Sequence, residues 1–314
     1  MTEPPGRSPP VPETELPAST EFGRDYAAFR HTAGVVELAR DYVRVAGPDA
    51  ATFLQGQLSQ DVLALGTGDS AWSLLLAPGG KVVAFLRLTR VTDEDFVLDT
   101  DAGWGPTVIE RVNRFKLRVK AAVEPMDGWR CLAVRGPDAH QAAPDGTPTD
   151  WPGLPGVDLL GPAVELPPGD VARRCSLEAY EVVRIEAGVP VMGRELNEST
   201  IPQEAGIVDR SVSFTKGCYT GQELVARIDS RGGNVPRRLR GVVLTGDTPP
   251  PLGTALHVDG KEVGVVTSSA FSPGRGAAVA LAYVRRAVEP PGDAELTWDG
   301  GAVAARIEAL PLVS

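Results

Sequence analysis

Residues 213–223 read Ser213-Phe214-Thr215-Lys216-Gly217-Cys218-Tyr219-Thr220-Gly221-Gln222-Glu223, and no other run of the chain says as much. A thiol, Cys218, follows a glycine and stands two residues from an amine, Lys216. Cysteine reacts as its thiolate, and a nearby ammonium favours that form by opposite charge. Gly217 and Gly221 let the backbone turn tightly and come close to a ligand. A cysteine kept for packing more often stands in an apolar run, whereas here Gly221-Gln222-Glu223 follows at once. The residues alone leave two readings open: an activated thiol and a small buried hydrophobe.

Downstream, Arg227, Arg231, Arg237, Arg238 and Arg240 form the densest basic run, offset in part by Asp229. Such a run either attracts a polyanionic ligand or acidic partner, or forms a solvated face with local ion pairs. From Arg237 onward short apolar runs alternate with Gly, Pro and Asp turns. Leu239–Leu244, Ala255–Val258, Glu262–Ser268, Ala278–Tyr283 and Ala302–Ile307 read as strands. Their spacing predicts a small all-β barrel or sandwich, with a domain boundary near Asn234-Val235-Pro236.

Upstream, Ser176 is a suitable N-cap for a helix that ends near Gly188. Within it Ala179, Val182, Val183 and Glu186 follow the i, i+3, i+4, i+7 spacing and share a face. Glu186 thus ends an apolar stripe near a helix C-terminus, where the dipole disfavours an anion. It needs donors, either from an arginine or from a ligand such as an amino-pyrimidine edge. Elementary electrostatics favours the ion pair.

Further upstream, Trp72–Ala77 and Val82–Leu88 flank Pro78-Gly79-Gly80-Lys81 as a hairpin, with Asp95–Leu98 as a third strand. Val35 to Val45 has strand character, and Gly47-Pro48-Asp49 opens a helix through Phe53 and Leu54. The same strand-to-helix turn recurs at Gly136-Pro137-Asp138. Gly103 to Phe115 reads as helix. Leu117, Val119 and Ala121 alternate with Lys116, Arg118 and Lys120, as in a strand with one wet face. Residues 144–170, rich in Pro and Gly, read as a long surface connection. Residues 1–19 hold six prolines and almost no large apolar residue, which predicts a disordered tail.

The formal net charge of −10 argues against bulk electrostatic binding to nucleic acid. Cys131, Cys175 and Cys218 are far apart and form no C-x-x-C pair, so neither a disulfide framework nor a zinc site has support. Scattered His31, His140 and His257 add no metal-ligand spacing, and no Ser-His-Asp or Cys-His pattern supports hydrolase chemistry. No apolar run is long enough to span a membrane, and the N-terminus lacks a basic start followed by an apolar stretch. A soluble cytoplasmic monomer is the expectation.

Ile201-Pro202-Gln203-Glu204, Ser213-Phe214, Lys216-Gly217-Cys218-Tyr219, Gly221-Gln222-Glu223 and Val225-Ala226-Arg227 together closely resemble the signature of the YgfZ-type folate-binding proteins. These are relatives of the glycine cleavage system T-protein, an aminomethyltransferase. Phe53-Leu54-Gln55-Gly56-Gln57-Leu58-Ser59-Gln60-Asp61-Val62 looks like the N-terminal family segment. Arg184-Ile185-Glu186-Ala187-Gly188 is similar to a T-protein stretch, and Leu239–Tyr283 resembles the C-terminal barrel.

The resemblance implies an α+β fold: a folate-binding body of two subdomains over residues 20–235 around a central cavity, then a β-barrel over 236–314. It implies tetrahydrofolate, or a one-carbon derivative, as ligand. It assigns Glu186 to the pterin, with Tyr219, Gln222, Glu223 and Arg227 on the folate side. Lys216 and Cys218 match the signature lysine and cysteine, and Cys218 is expected to face the same cavity as a thiolate. The implied role is folate-dependent support of iron–sulfur cluster assembly or repair in client enzymes, a tRNA-thiolating enzyme among them. The chain departs from the T-protein at Gly80-Lys81-Val82-Val83-Ala84-Phe85, where the T-protein carries its catalytic aspartate and this chain has no carboxylate. Aminomethyl transfer by that mechanism is therefore disfavoured. A folate-dependent one-carbon transferase is the alternative.

Overall fold

A computed structural model describes residues 20–298 and 301–313; the tail expected over 1–19 lies outside the described residues. The chain begins with α1 (Glu21–His31), β1 (Gly34–Leu38), β2 (Arg40–Ala46), α2 (Ala50–Gln57), β3 (Ser70–Leu76), β4 (Val82–Thr92), β5 (Asp95–Asp101) and α3 (Gly105–Arg114). There follow β6 (Ala122–Pro125), β7 (Arg130–Arg135), α4 (Ala139–Ala142), β8 (Thr147–Pro148), β9 (Gly156–Gly161), β10 (Arg173–Arg174) and α5 (Leu177–Ala187). Then come α6 (Val208–Ser211), α7 (Gln222–Asp229), β11 (Arg237–Leu244), β12 (Ala255–Val258), β13 (Lys261–Ser272), β14 (Ala277–Arg285), β15 (Gly292–Trp298) and β16 (Gly301–Glu308).

The strands form a sheet ordered β3-β4-β5-β2-β6, a second sheet ordered β10-β1-β7-β9-β8, and a closed barrel β11-β14-β13-β12-β15-β16. The α+β class with a C-terminal barrel agrees with expectation. Alternation along each strand sorts side chains to two faces. In the first sheet Leu75, Ala84, Leu86, Leu88, Phe96 and Leu98 pack on Phe53, Leu54, Val108 and Val112 of α2 and α3. Trp72, Leu74, Leu76 and Phe85 pack on the other side, with Met192 and Tyr219. β14 shows why a barrel strand can be buried throughout: Ala278, Ala280, Ala282 and Val284 fill the barrel. Val279, Leu281 and Tyr283 point out to Ile185 of α5 and Leu312. Each fully buried Val or Leu side chain in such a strand stabilises by about 1.5–3 kcal/mol, and each Ala methyl by about 0.8 kcal/mol.

Helix α5 starts where expected, with Ser176 accepting from the Ala179 N–H, and closes on Gly188 in left-handed conformation. Ala179, Val182, Val183 and Glu186 are all buried on it. No helix among the described residues is long and apolar enough to cross a membrane.

Two local expectations fail, and one strand goes unread in the sequence. Residues 116–121 form no strand; Arg118 has φ 58° and Leu117 is 84% exposed. The strand begins only at Ala122, where β2 offers a partner edge. The connection over 144–170 contains β9, which pairs with β7 and β8. Asp158 inside β9 disguised it, because a charge in a buried strand is tolerated only when paired, and Arg87 and Arg135 pair it. Strand β15, preceded by Pro290-Pro291, had not been anticipated; it closes the barrel between β12 and β16.

Candidate functional site

The 213–223 run is a loop leading into α7. It docks on the β3–β4 turn through two facing glycines. Gly80 and Gly221 have φ of 77° and 84°; a Cβ on Gly80 would meet Leu224 Cβ at 2.5 Å, and one on Gly221 the Ala77 carbonyl oxygen at 2.5 Å. Lys216 Nζ donates to the carbonyl oxygens of Gln55 (2.6 Å), Leu58 (2.7 Å) and Gln60 (2.9 Å). It thus satisfies the open carbonyls at the C-terminal end of α2, where a cation is favoured. Burial pulls the Lys216 ammonium down to about 8, with Asp61 opposing.

Cys218 is exposed and has no hydrogen-bond link to Lys216 among the described residues. Tyr219 is buried under the loop, its N–H donating to Gln222 Oε1 at 3.1 Å. Glu223 and Arg227 are exposed on α7. The loop is therefore one assembled unit, organised around Lys216 and the two glycines.

Glu186 lies elsewhere and is fully buried. Its carboxylate pairs with Arg30, accepts from the Ser272 hydroxyl, and accepts from Tyr26 Oη at 3.0 Å. Burial and the neighbouring Glu186 push the Tyr26 phenol up to about 12. The resemblance assigns Glu186 to a pterin, but its oxygens are closed into a knot joining α1, α5 and the barrel strand β13.

A cavity of about 260 Å³ opens between the two sheets, α5 and the segment 189–194. Trp72, Phe85, Trp151, Tyr180 and Met192 supply its apolar walls; Arg40, Asp101, Arg135, Asp158, Glu181 and Arg194 supply charge. Lys216, Cys218 and Glu186 are not among its lining residues. Trp72 stacks on Phe85 with centroids 4.7 Å apart, and Arg87 lies over Trp72 at 5.3 Å.

Beneath these rings runs a chain of ion pairs: Asp101–Arg40 (2.6 Å), Arg40–Asp99 (2.7 Å), Asp99–Arg87 (2.9 Å), Arg87–Asp158 (2.9 Å) and Asp158–Arg135 (2.8 Å). Burial opposes the Asp158 charge, but Arg135 and Arg87 hold its carboxyl below the usual range. Burial likewise opposes the Glu181 charge, which Arg184 and Arg194 stabilise. Asp101 also accepts from the Met192 N–H at 2.9 Å and keeps a quarter of its side chain exposed. The Trp72 indole N–H is buried without a hydrogen-bond partner among the described residues.

This arrangement suits a flat heteroaromatic ring: aromatic plates for its faces, fixed charges and one unspent donor for its edges. In β4, the Ala84 methyl is buried against α2 and α3, and Phe85 takes the cavity side. The cavity escaped the sequence reading, yet it left a trace there. Arg87, Asp99 and Asp158 each interrupt an apolar strand run, and charges in such places require partners.

The GCVT N-terminal domain matches residues 12–152, and the glycine cleavage T-protein C-terminal barrel domain matches residues 237–313. An aminomethyltransferase of Streptomyces avermitilis is 28% identical over 317 residues, covering 88% of this chain and 84% of that protein. An uncharacterized protein of Haemophilus influenzae is 31% identical over 198 residues, covering 61% of this chain and 67% of its own length. The glycine cleavage system aminomethyltransferase T from Bartonella henselae shares the fold, with a TM-score of 0.79 at 23% identity over 93% of this chain and 89% of that one. The chain thus carries both the GCVT N-terminal domain and the glycine cleavage T-protein C-terminal barrel domain.

Proposed function

We propose that this protein binds tetrahydrofolate, or a one-carbon derivative, in the cavity between the sheets. It serves as a cytoplasmic, monomeric accessory factor for iron–sulfur cluster assembly or repair in client enzymes. One observation carries the reading: aromatic side chains line a cavity in which Asp158 and Glu181 are tied up by arginines, and residues 80–85 carry no carboxylate.

The pterin fits the residues present. Its faces would meet Phe85 and Tyr180, and its acceptor edge the unspent Trp72 N–H. Asp101 also pairs with Arg40 and accepts from the Met192 N–H, but a quarter of its side chain stays exposed, so it, and not fully buried Glu186, is open to the amino-pyrimidine edge. At about 260 Å³ the cavity is near the lower end of small-molecule pockets, roughly 300–1,000 Å³, so it takes the ring system and leaves the tail outside. A bound folate would supply a carried one-carbon unit. Cys218 is exposed on its own loop, so its thiol would meet a client protein or a sulfur species from solution.

Titration calorimetry with tetrahydrofolate should give saturable binding that Trp72→Leu weakens about tenfold, the loss of one hydrogen-bond donor. Absence of binding at millimolar ligand removes folate from the account. In a strain lacking the native gene, wild type should restore iron–sulfur enzyme activities and Cys218→Ser should not; equal rescue removes the thiol. A one-carbon transferase is the rival reading, favoured by Asp101 at the cavity wall. Formation of methylenetetrahydrofolate from an aminomethyl donor would establish it.

A further inference from the structure

We propose that a second cavity, separated from the first by Trp151, is a binding site for a small polyanion bearing carboxylate or phosphate groups. Its volume is about 470 Å³. It lies where the end of α5, the segment 203–210, strand β11 and the residues after β16 meet. Trp151 lines both cavities, edge-on to Phe85 on one side and covered by Arg210 at 3.5 Å on the other.

Arg210, Arg238 and Arg240 line this second cavity. Arg238 and Arg240 stand two residues apart on β11 and so share a face. Arg238 donates to the Gly233 carbonyl and Arg210 to the Asp150 carbonyl, both neutral acceptors; the Asp150 carboxylate that offsets Arg210 is shared with His140 and the Gly156 N–H. Arg240 has neither a hydrogen-bonded nor an ion-paired side-chain partner among the described residues. Burial and the adjacent Arg238 both weaken its hold on its proton, with Glu289 opposing. Burial acts the same way on Arg210, with Asp150 opposing.

The cavity's own carboxylates do not balance this charge. Glu204 is spent on Arg237 (3.2 Å) and the Ile201 N–H (3.2 Å). Asp209 is exposed and makes no ion pair among the described residues. Like charges gathered in a half-buried pocket cost free energy that a bound anion repays, and guanidinium groups grip carboxylate and phosphate oxygens with paired donors. The volume suits a small molecule, and cations from α6 and from two positions on β11 suit several anionic groups on one molecule. An oligocarboxylate chain and a phosphorylated metabolite share this chemistry. The proposal is independent of folate binding.

The test titrates the full-length protein, in phosphate-free buffer of fixed ionic strength, with inorganic pyrophosphate and separately with tri-γ-glutamate. Calorimetry reads affinity, and tryptophan emission reads the site, because an anion that draws Arg210 away changes the surroundings of Trp151. At least one probe should bind saturably, with an emission change that Trp151→Phe abolishes. Arg240→Gln should weaken binding about tenfold to a hundredfold, as expected for one charged hydrogen-bond donor. Asp209→Asn, at the exposed rim, should tighten it several-fold. Selective binding of pyrophosphate assigns a phosphorylated ligand, and selective binding of tri-γ-glutamate a carboxylate chain. The proposal fails if neither probe saturates at millimolar concentration. It also fails if affinity is the same in Asp209→Asn and in an Arg240→Gln protein that keeps the wild-type melting temperature.

Discussion

Glu186→Gln separates a structural carboxylate from a ligand-binding one. The substitution keeps the shape and removes the charge, leaving the Arg30 guanidinium only 12% exposed and without its anion. Removing one partner of a buried pair costs about 3–5 kcal/mol. The amide oxygen still accepts from Tyr26 or Ser272, which returns about 1 kcal/mol. The net loss is therefore about 2–4 kcal/mol. At about 2 °C per kcal/mol, the lower end of the range because this chain is long, the melting temperature should fall by about 4–8 °C.

Differential scanning calorimetry checks the fall, and titration with tetrahydrofolate in parallel should show little change in affinity. The double variant Arg30→Gln/Glu186→Gln should lose less than the sum of the single losses, since the second change removes the stranded charge. A Glu186→Gln protein that melts with wild type but binds folate tenfold more weakly would refute the reasoning and restore the pterin assignment.

Three further outcomes follow from the same structure. In the native protein one thiol per chain should react with a disulfide reagent, that of exposed Cys218, and Cys218→Ser should abolish the reaction. Cys131 and Cys175 are buried and pushed up to about 12 by that burial, so all three thiols should appear only on denaturation. Lys216 releases its proton near 8 in the folded chain but near 10.5 unfolded, so between those values the unfolded state binds more protons and stability rises with pH. Denaturation midpoints across that window should rise for wild type more than for Lys216→Met, and parallel slopes would contradict the assignment. Gly221→Ala, with its methyl 2.5 Å from the Ala77 oxygen and φ at 84°, should cost about 2 kcal/mol or more in denaturant unfolding. Gly217→Ala, whose Cβ would meet nothing within 4 Å, should be close to neutral.

Much of the fold was legible because its signals are local. Ser176 and Gly188 bracket α5 in the sequence as they cap it in space, and Pro78-Gly79-Gly80 marks the β3–β4 hairpin. Short apolar runs between Gly, Pro and Asp turns placed five of the barrel's six strands. The alternation over 116–121 misled because a wet-faced pattern makes a strand only where a neighbouring edge accepts it. Strand β9 was hidden by Asp158, whose charge makes sense only once Arg87 and Arg135 are beside it.

The residues of 213–223 marked a specialised loop from order alone. Its inner wiring was not readable there: Lys216 looked like the activator of Cys218, yet its amine reaches back some 160 positions to the end of α2. Glu186 shows the same division. Helical spacing foretold its burial on one face of α5, and electrostatics its need for donors. Which donors it meets depended on Tyr26, 160 residues away, on Arg30 and on Ser272 of the barrel. Caps, turns and periodicity act over a few residues and are written into sequence order. Charge pairing acts over a few ångströms, so its partners exist only once the sheets, α5 and the barrel have packed.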